Sequence, residues 1–161
     1  MSCPEKARSG MQSRSIIAAL VLGAVAGWAG PAFSQASSVW DGSYTGQQAQ
    51  RGAAKYAQTC VMCHGRVLEG NGEAPPLTGR FIPDWAGTSL ADLFEKIQAT
   101  MPLFAPGSLS SSDTADILAF ILQSNNFPAG PKELEAGDGL KLVSFDAVKP
   151  AAKQDQPAKR R

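Results

Sequence analysis

Histidine and cysteine are scarce in this sequence. Histidine occurs once in 161 residues, at position 64, and cysteine occurs three times, at positions 3, 60 and 63. One histidine excludes any centre that is held by two imidazole ligands. The neighbouring Cys60 and Cys63 would close only a minimal loop, so a disulfide between them would stabilise the fold little.

Neither sign of charge is in large excess. The chain has 15 Lys and Arg against 14 Asp and Glu, which gives no reason to expect a nucleic-acid partner. The charges are unevenly distributed, however. Residues 37–145 carry 7 basic and 11 acidic side chains, a net charge of −4, whereas residues 146–161 carry a net charge of +3.

No hydrophobic run is long enough for an ordinary membrane-spanning helix. The apolar run from Ile16 to Ala29 has 14 residues, where a span needs about 20. Basic residues precede it and small residues follow it: Lys6, Arg8, Arg14, Ala32, Ser34 and Ala36. This order predicts that residues 1–36 are a secretory signal peptide cleaved after Ser34 or Ala36, and that the protein is periplasmic. An uncleaved leader would instead be a membrane anchor.

Aromatic residues make up only 7% of the chain, whereas it holds 16 Gly and 11 Pro. This composition favours short helices joined by loops, and so an all-α fold. Apolar periodicity predicts three main helices, over Thr45–Gln58, Leu90–Ala99 and Ser111–Ser124. Ser89 with Asp92, and Ser110 with Asp113, suggest the caps of the second and third helices.

The segments between and after these helices have little periodicity. Residues 37–46 are expected to be an extended entry. The Gly- and Pro-rich stretch Cys60–Gly87 is unusually long for a structureless loop, unless it wraps something other than protein. Leu140–Phe145 could pack back on the body. The basic tail Lys149–Arg161 has the composition of a disordered segment; an anchoring role within a larger enzyme is the alternative.

The decisive motif is Cys60-Val61-Met62-Cys63-His64. Cys-x-x-Cys-His is the attachment pattern of c-type haem: two thiols bond to the vinyl groups and the adjacent imidazole becomes an iron ligand. A zinc site would need four ligands, and only three such donors remain once Cys3 leaves with the signal. A thioredoxin-like dithiol would need a βαβ context, which the flanking pattern lacks.

The second axial ligand follows by elimination. Only Met62 and Met101 remain as methionines after residue 36, and Met62 is held within the attachment motif on the side of His64. Met101 follows a helix that Pro102 ends, so its side chain is free to turn to the iron. The alternative is a core Met101 that continues the apolar stripe of that helix.

His64 and Met101 together would fill both axial positions of the iron and leave none for a substrate. A thioether ligand favours Fe(II) and raises the potential. This ligand set predicts an electron-transfer protein rather than an enzyme. A haem sensor or catalytic haem protein, in which Met101 is displaced, is the alternative.

From Gly42 to Gly130 the sequence resembles class I c-type cytochromes with one haem. It is most similar to the small bacterial ones associated with quinoprotein (PQQ) alcohol dehydrogenases. Gly52 and Tyr56 match the N-terminal helix of that family, and Phe120 matches the C-terminal helix that crosses it. Pro75 and Leu77 match its Pro-x-Leu, and Met101-Pro102 its distal loop.

This resemblance implies a cytochrome c domain over residues 37–130 that wraps one covalent haem c, with residues 131–161 as a C-terminal extension. It implies that the Pro75 carbonyl accepts the His64 Nδ1–H and that Leu77 packs on the haem. Trp85 would reach a propionate, unless it is a core tryptophan. Arg80 would pair with a propionate, unless it is a solvated surface residue.

The resemblance also implies the partners. The electron donor would be a periplasmic dehydrogenase of the quinoprotein type, and the acceptor an oxidase or a membrane carrier. The protein would work either as a free carrier or as the cytochrome subunit of a dehydrogenase. The ring of lysines found in mitochondrial relatives is not evident, since the body of this chain is acidic.

Overall fold

The structure is a computed structural model, and it describes residues 38–149. It contains five α-helices: α1 Gly46–Thr59, α2 Val61–His64, α3 Phe81–Trp85, α4 Leu90–Thr100 and α5 Ser111–Ser124. Two 3₁₀ turns, Val39–Asp41 and Asp138–Leu142, flank them. Within this described part no β-strand forms, and only isolated bridges are present. The predicted all-α class is confirmed, as are the three main helices.

Helices α1 and α5 cross at a point where their backbones nearly touch. A Cβ built on Gly52 would collide with the carbonyl oxygen of Asp116 and lie 2.9 Å from the Cβ of Phe120. One turn further along, the rings of Tyr56 and Phe120 pack 5.2 Å apart. Glycine at position 52 is therefore required by the close approach, although glycine weakens an isolated helix by about 1 kcal/mol relative to alanine.

Each long helix begins at a residue whose side chain accepts a backbone N–H. Thr45 Oγ1 accepts from Gln48 at the start of α1, at 3.1 Å. Ser89 and Asp92 form a reciprocal capping box at α4, and Ser110 accepts from Asp113 at α5. These groups satisfy N–H donors that have no partner inside the helix. The caps expected at Ser89 and Ser110 are confirmed.

The chain beyond residue 130 is part of the packed body as far as Phe145. Gln48 exchanges two hydrogen bonds of 2.8 Å with the backbone of Leu134. Further along, the buried Phe145 packs against Phe81 at 5.8 Å and Phe127 at 5.3 Å. The expectation that Leu140–Phe145 packs on the body of the protein is confirmed. Through Phe145 this segment contacts α3.

Two local expectations are wrong. Within the described part of the predicted extended entry, residues 38–46 are not simply extended, because Ser38 and Asp41 form a capping box that begins the turn Val39–Asp41. The stretch Cys60–Gly87 contains the helix Phe81–Trp85. Pro83 is tolerated there because it lies in the first turn, where its missing N–H would have no helical partner.

None of the helices within residues 38–149 is long and apolar enough to cross a membrane. The predicted signal peptide at 1–36 and most of the basic tail, from residue 150 onward, lie outside the described residues.

The helix crossing makes a direct prediction. Gly52→Ala is expected to lower the free energy of unfolding by about 3 kcal/mol, because its Cβ has no room beside the α5 backbone. Gly46→Ala is the control, since a Cβ there meets nothing within 4 Å, and it should be neutral or stabilising by up to about 1 kcal/mol. Urea unfolding of both variants measures the difference; equal stabilities would contradict the close packing.

Candidate haem site

The attachment motif lies directly after α1 and forms a helical turn of its own. The Cys60 N–H donates to Tyr56 O at 2.9 Å, which joins the motif to α1, and the His64 N–H donates to Cys60 O at 2.9 Å. Gly65, with φ of +78°, then turns the chain away. The Tyr56 hydroxyl donates to Gly65 O at 2.8 Å, and burial raises the pKa of Tyr56. The crossing helix thus holds both ends of the motif.

The buried His64 is oriented by the loop that follows it. Its Nδ1 lies 2.9 Å from the carbonyl oxygen of Pro75. A carbonyl oxygen only accepts, so Nδ1 carries the proton, and in the neutral tautomer that makes this bond Nε2 is the nitrogen with a free lone pair. A neutral imidazole with a free Nε2 is the form that binds a metal. The structure therefore shows the contact that the resemblance implied for Pro75.

Backbone hydrogen bonds fold this loop, residues 65–80 between α2 and α3 and called the cavity loop below, back on the motif. Gly70 N–H donates to His64 O at 2.8 Å, and Leu77 N–H donates to Leu68 O at 2.9 Å. Asn71 Oδ1 accepts from the backbone N–H groups of Glu73 and Ala74. Gly70 is needed at its position, because its φ is +72° and a Cβ there would come within 2.5 Å of Ala74 O. These bonds fix the Pro75 carbonyl relative to His64.

A cavity of about 290 Å³ opens beside His64. Seven of the eight predicted site residues line it: Cys60, Cys63, His64, Pro75, Leu77, Trp85 and Met101. Apolar side chains from three helices complete its walls: Phe81, Leu93, Ile97, Ile117 and Ile121. The periodic stripes placed several of these side chains in the core, but nothing in the sequence indicated that they surround a cavity.

The two thiols differ in environment. Both are free, Cys60 is half-buried and Cys63 is exposed. Burial, followed by the nearby Cys63, raises the pKa of the Cys60 thiol to about 11. This shift is opposite in direction to the lowered pKa of the reactive thiol in a thioredoxin-like dithiol.

Met101 lies where α4 ends. Its N–H still donates to Ile97 O at 2.9 Å, but its own backbone is extended, with φ of −114° and ψ of 150°. The half-buried side chain lines the cavity and also packs against the core. The structure thus brings Met101 and His64 to the same cavity, and iron ligation by Met101 stays a prediction.

Trp85 and Arg80 differ in their exposure to solvent. Trp85 is half-buried, lines the cavity and packs on Phe81 with ring centres 6.2 Å apart. The side chain of Arg80 is 84% exposed, is 3.7 Å from Asp84 and is not among the residues that line the cavity. The geometry favours the surface interpretation of Arg80.

The mouth of the cavity contains residues that the sequence did not single out. Leu103 and Phe104 line it and are 70% and 76% exposed. Glu73, Asp84 and Lys96 add charges of both signs. These two apolar residues lie in a loop without periodicity, so the sequence did not predict that they belong to the site. Only their position beside the cavity shows it.

The chain matches one protein-family model over residues 47–121, described as cytochrome c oxidase, cbb3-type, subunit III. The match supports a c-type cytochrome domain. It spans α1, the attachment motif, the cavity loop and most of α5, and the fold is that of cytochrome c. Such a domain implies a haem c cofactor.

Comparisons with solved structures and with curated proteins add less to this picture than the family model does. A solved structure of the sulfane dehydrogenase SoxCD from Paracoccus pantotrophus is similar at 26% identity, with a TM-score of 0.43. The similarity covers 60% of this chain and 54% of that chain, so this protein spans about half the length of its structural relative. The comparison with curated proteins gives no match.

The residues around this cavity suit a haem group. Two thiols and one imidazole with an available Nε2 meet at the edge of an apolar cavity, and a thioether reaches the same cavity. Apolar walls with a few placed polar groups are typical of cofactor sites. The donor set is therefore chemically complete for a c-type haem.

The contrast between Trp85 and Arg80 gives a prediction. Trp85→Phe removes the indole N–H that the resemblance places on a propionate, and it is expected to lower the haem reduction potential, because a less neutralised propionate would stabilise Fe(III). Arg80→Ala should leave the potential unchanged, since this solvated side chain does not line the cavity and exposed charge pairs are weak. Potentiometric titration measures both variants. A larger shift for Arg80→Ala would reverse the assignment.

Proposed function

We propose that this protein is a periplasmic one-electron carrier that uses a single covalent haem c. The observation that supports this most strongly is the convergence of Cys60, Cys63, His64 and Met101 on one cavity. A bound haem would supply a reversible Fe(III)/Fe(II) couple. The residues of the chain would attach the haem, bind its iron and orient the ligands.

Cys60 and Cys63 would hold the group through thioether bonds. The helical turn between them is fixed at both ends, by the Tyr56 carbonyl and by the Tyr56 hydroxyl bond to Gly65. His64 would supply Nε2 to the iron, and the Pro75 carbonyl would keep that ring in one tautomer and one orientation. Such outer contacts set the basicity of a ligating imidazole.

Met101 would supply the second axial ligand. Its extended backbone releases it from α4, while its N–H bond to Ile97 keeps it beside the apolar wall. If His64 and Met101 both bind the iron, oxidation and reduction would need little rearrangement of the site. This supports electron transfer over oxygen binding or peroxide chemistry.

The route for electrons would be the open mouth of the cavity. Cys63, Leu103 and Phe104 all line the cavity and are exposed to solvent. A partner could approach the cofactor there without any opening of the fold. Among the described residues, lysine lines the cavity only at Lys96, beside Glu73 and Asp84, so its mouth does not offer a ring of lysines to an acidic partner.

For the partners, we propose a periplasmic dehydrogenase of the quinoprotein type as donor and an oxidase or membrane carrier as acceptor. The predicted signal peptide supports the periplasmic location. The resemblance of Gly42–Gly130 to small bacterial cytochromes supports the donor class.

The ligand set is tested by spectroscopy of the protein matured in a host that attaches c-type haem. The oxidised protein should show the weak methionine–iron charge-transfer band, and Met101→Ala should abolish it. Met62→Ala is the matched control: Met62 is 85% exposed and is the other methionine after residue 36, so its loss should leave the band intact.

Covalent haem without this band in the unmodified protein would contradict electron transfer by a His/Met centre. Ready binding of carbon monoxide to the reduced protein would point the same way, toward the sensor or catalytic alternative, because it requires a vacant or labile position on the iron.

A further inference from the structure

A buried amide joins the end of α5 to the loop that orients His64. Asn125, only 5% exposed, follows the last residue of α5. Its Nδ2 donates to the carbonyl of Ile121 on its own helix and to the carbonyl of Leu77 in the cavity loop, both at 2.8 Å. Both acceptors are carbonyl oxygens, which fixes the amide orientation, since only the NH₂ end can donate.

The bond to Leu77 is not needed to close the helix. The backbone N–H groups of Asn125 and Phe127 already bond to Ile121 and Leu122 at the helix end. Burying an amide costs free energy unless it is hydrogen-bonded. The second Nδ2–H of Asn125 therefore serves the loop rather than α5.

Leu77 is held from two sides. Its N–H donates to Leu68 O at 2.9 Å, and its carbonyl accepts from Asn125. Only Pro76 separates Leu77 from Pro75, and a proline ring locks φ near −65°. Pro75 and Pro76 thus form a stiff connection. Because of this stiffness, a shift of the Leu77 carbonyl also moves the Pro75 carbonyl, which faces His64.

We propose that Asn125 is a positioning residue for His64, acting through Leu77 and the Pro75 carbonyl. This inference rests on the proposed function, because it assigns Asn125 an influence on the haem ligand. Asn125 does not line the cavity. Its role is to keep the hydrogen bond from His64 Nδ1–H to the Pro75 carbonyl short.

The expected consequence has a definite sign. The Pro75 carbonyl raises the basicity of the His64 ring by accepting its Nδ1–H. Loosening that bond makes the imidazole a weaker donor, which stabilises Fe(III) less. The iron in an Asn125 variant should therefore be reduced more easily than in the unmodified protein.

The test compares two buried amides in the haem-loaded full chain. Asn125→Leu keeps similar volume and removes the bond to Leu77. Gln48→Met is the matched control, because Gln48 is 2% exposed and bonds to Leu134 rather than to the cavity loop. Each variant should lose stability in urea unfolding. Only Asn125→Leu should shift the ferric–ferrous equilibrium toward Fe(II), by about tenfold at most, or ~59 mV.

A second readout reports on His64 directly. In the reduced protein, NMR should show faster solvent exchange of the His64 Nδ1 proton in Asn125→Leu than in Gln48→Met. Asn125→Ser, which shortens the side chain with less risk to folding, should shift both readouts in the same direction. Equal potentials and equal exchange rates in the Asn125 and Gln48 variants would overturn the inference.

Failure of the proposed function is distinguishable from failure of this inference. If the unmodified protein carries no covalent haem, the electron-transfer proposal fails. If it carries haem with a normal His/Met spectrum and the Asn125 variants match the Gln48 control, only the positioning role of Asn125 is rejected.

Discussion

The close approach of α1 and α5 at Gly52 is the constraint on which the site depends. The haem-attachment motif begins at the residue after α1, and the Tyr56 side chain ties the motif's far end to the same helix. The other partner, α5, supplies Ile117 and Ile121 to the cavity wall. The distance between the two helices therefore sets the distance between the attachment residues and the apolar wall they face. A side chain at position 52 would change both.

A second group of contacts closes the cavity from the loop side. Besides the buried side chain of Leu68, backbone bonds to His64 and Leu68 and the amide of Asn125 hold the shape of this loop. The segment after residue 130 supports the neighbouring helix α3, through Phe145 packed on Phe81. A rigid loop around a ligand keeps the surrounding donors in place and so limits reorganisation when the charge on the iron changes.

Local signals in the sequence were sufficient for the three long helices and for part of the site. Apolar periodicity located α1, α4 and α5, and serine with aspartate three residues later located two caps. Cys60 and His64 were found by their spacing, and Pro75 by resemblance. Helix α3 was missed because Pro83 lies within it. Asn125 was missed because its partner Leu77 is 48 residues away, and a contact at that separation leaves no periodic pattern in one sequence.

Mass spectrometry under denaturing conditions tests the central claim most directly. The exported protein, unfolded and digested, should yield a peptide spanning Cys60–Cys63 that carries one haem through two thioether bonds. Recovery of that peptide with free thiols, or with a disulfide between Cys60 and Cys63, would contradict the account and return the pair to dithiol chemistry.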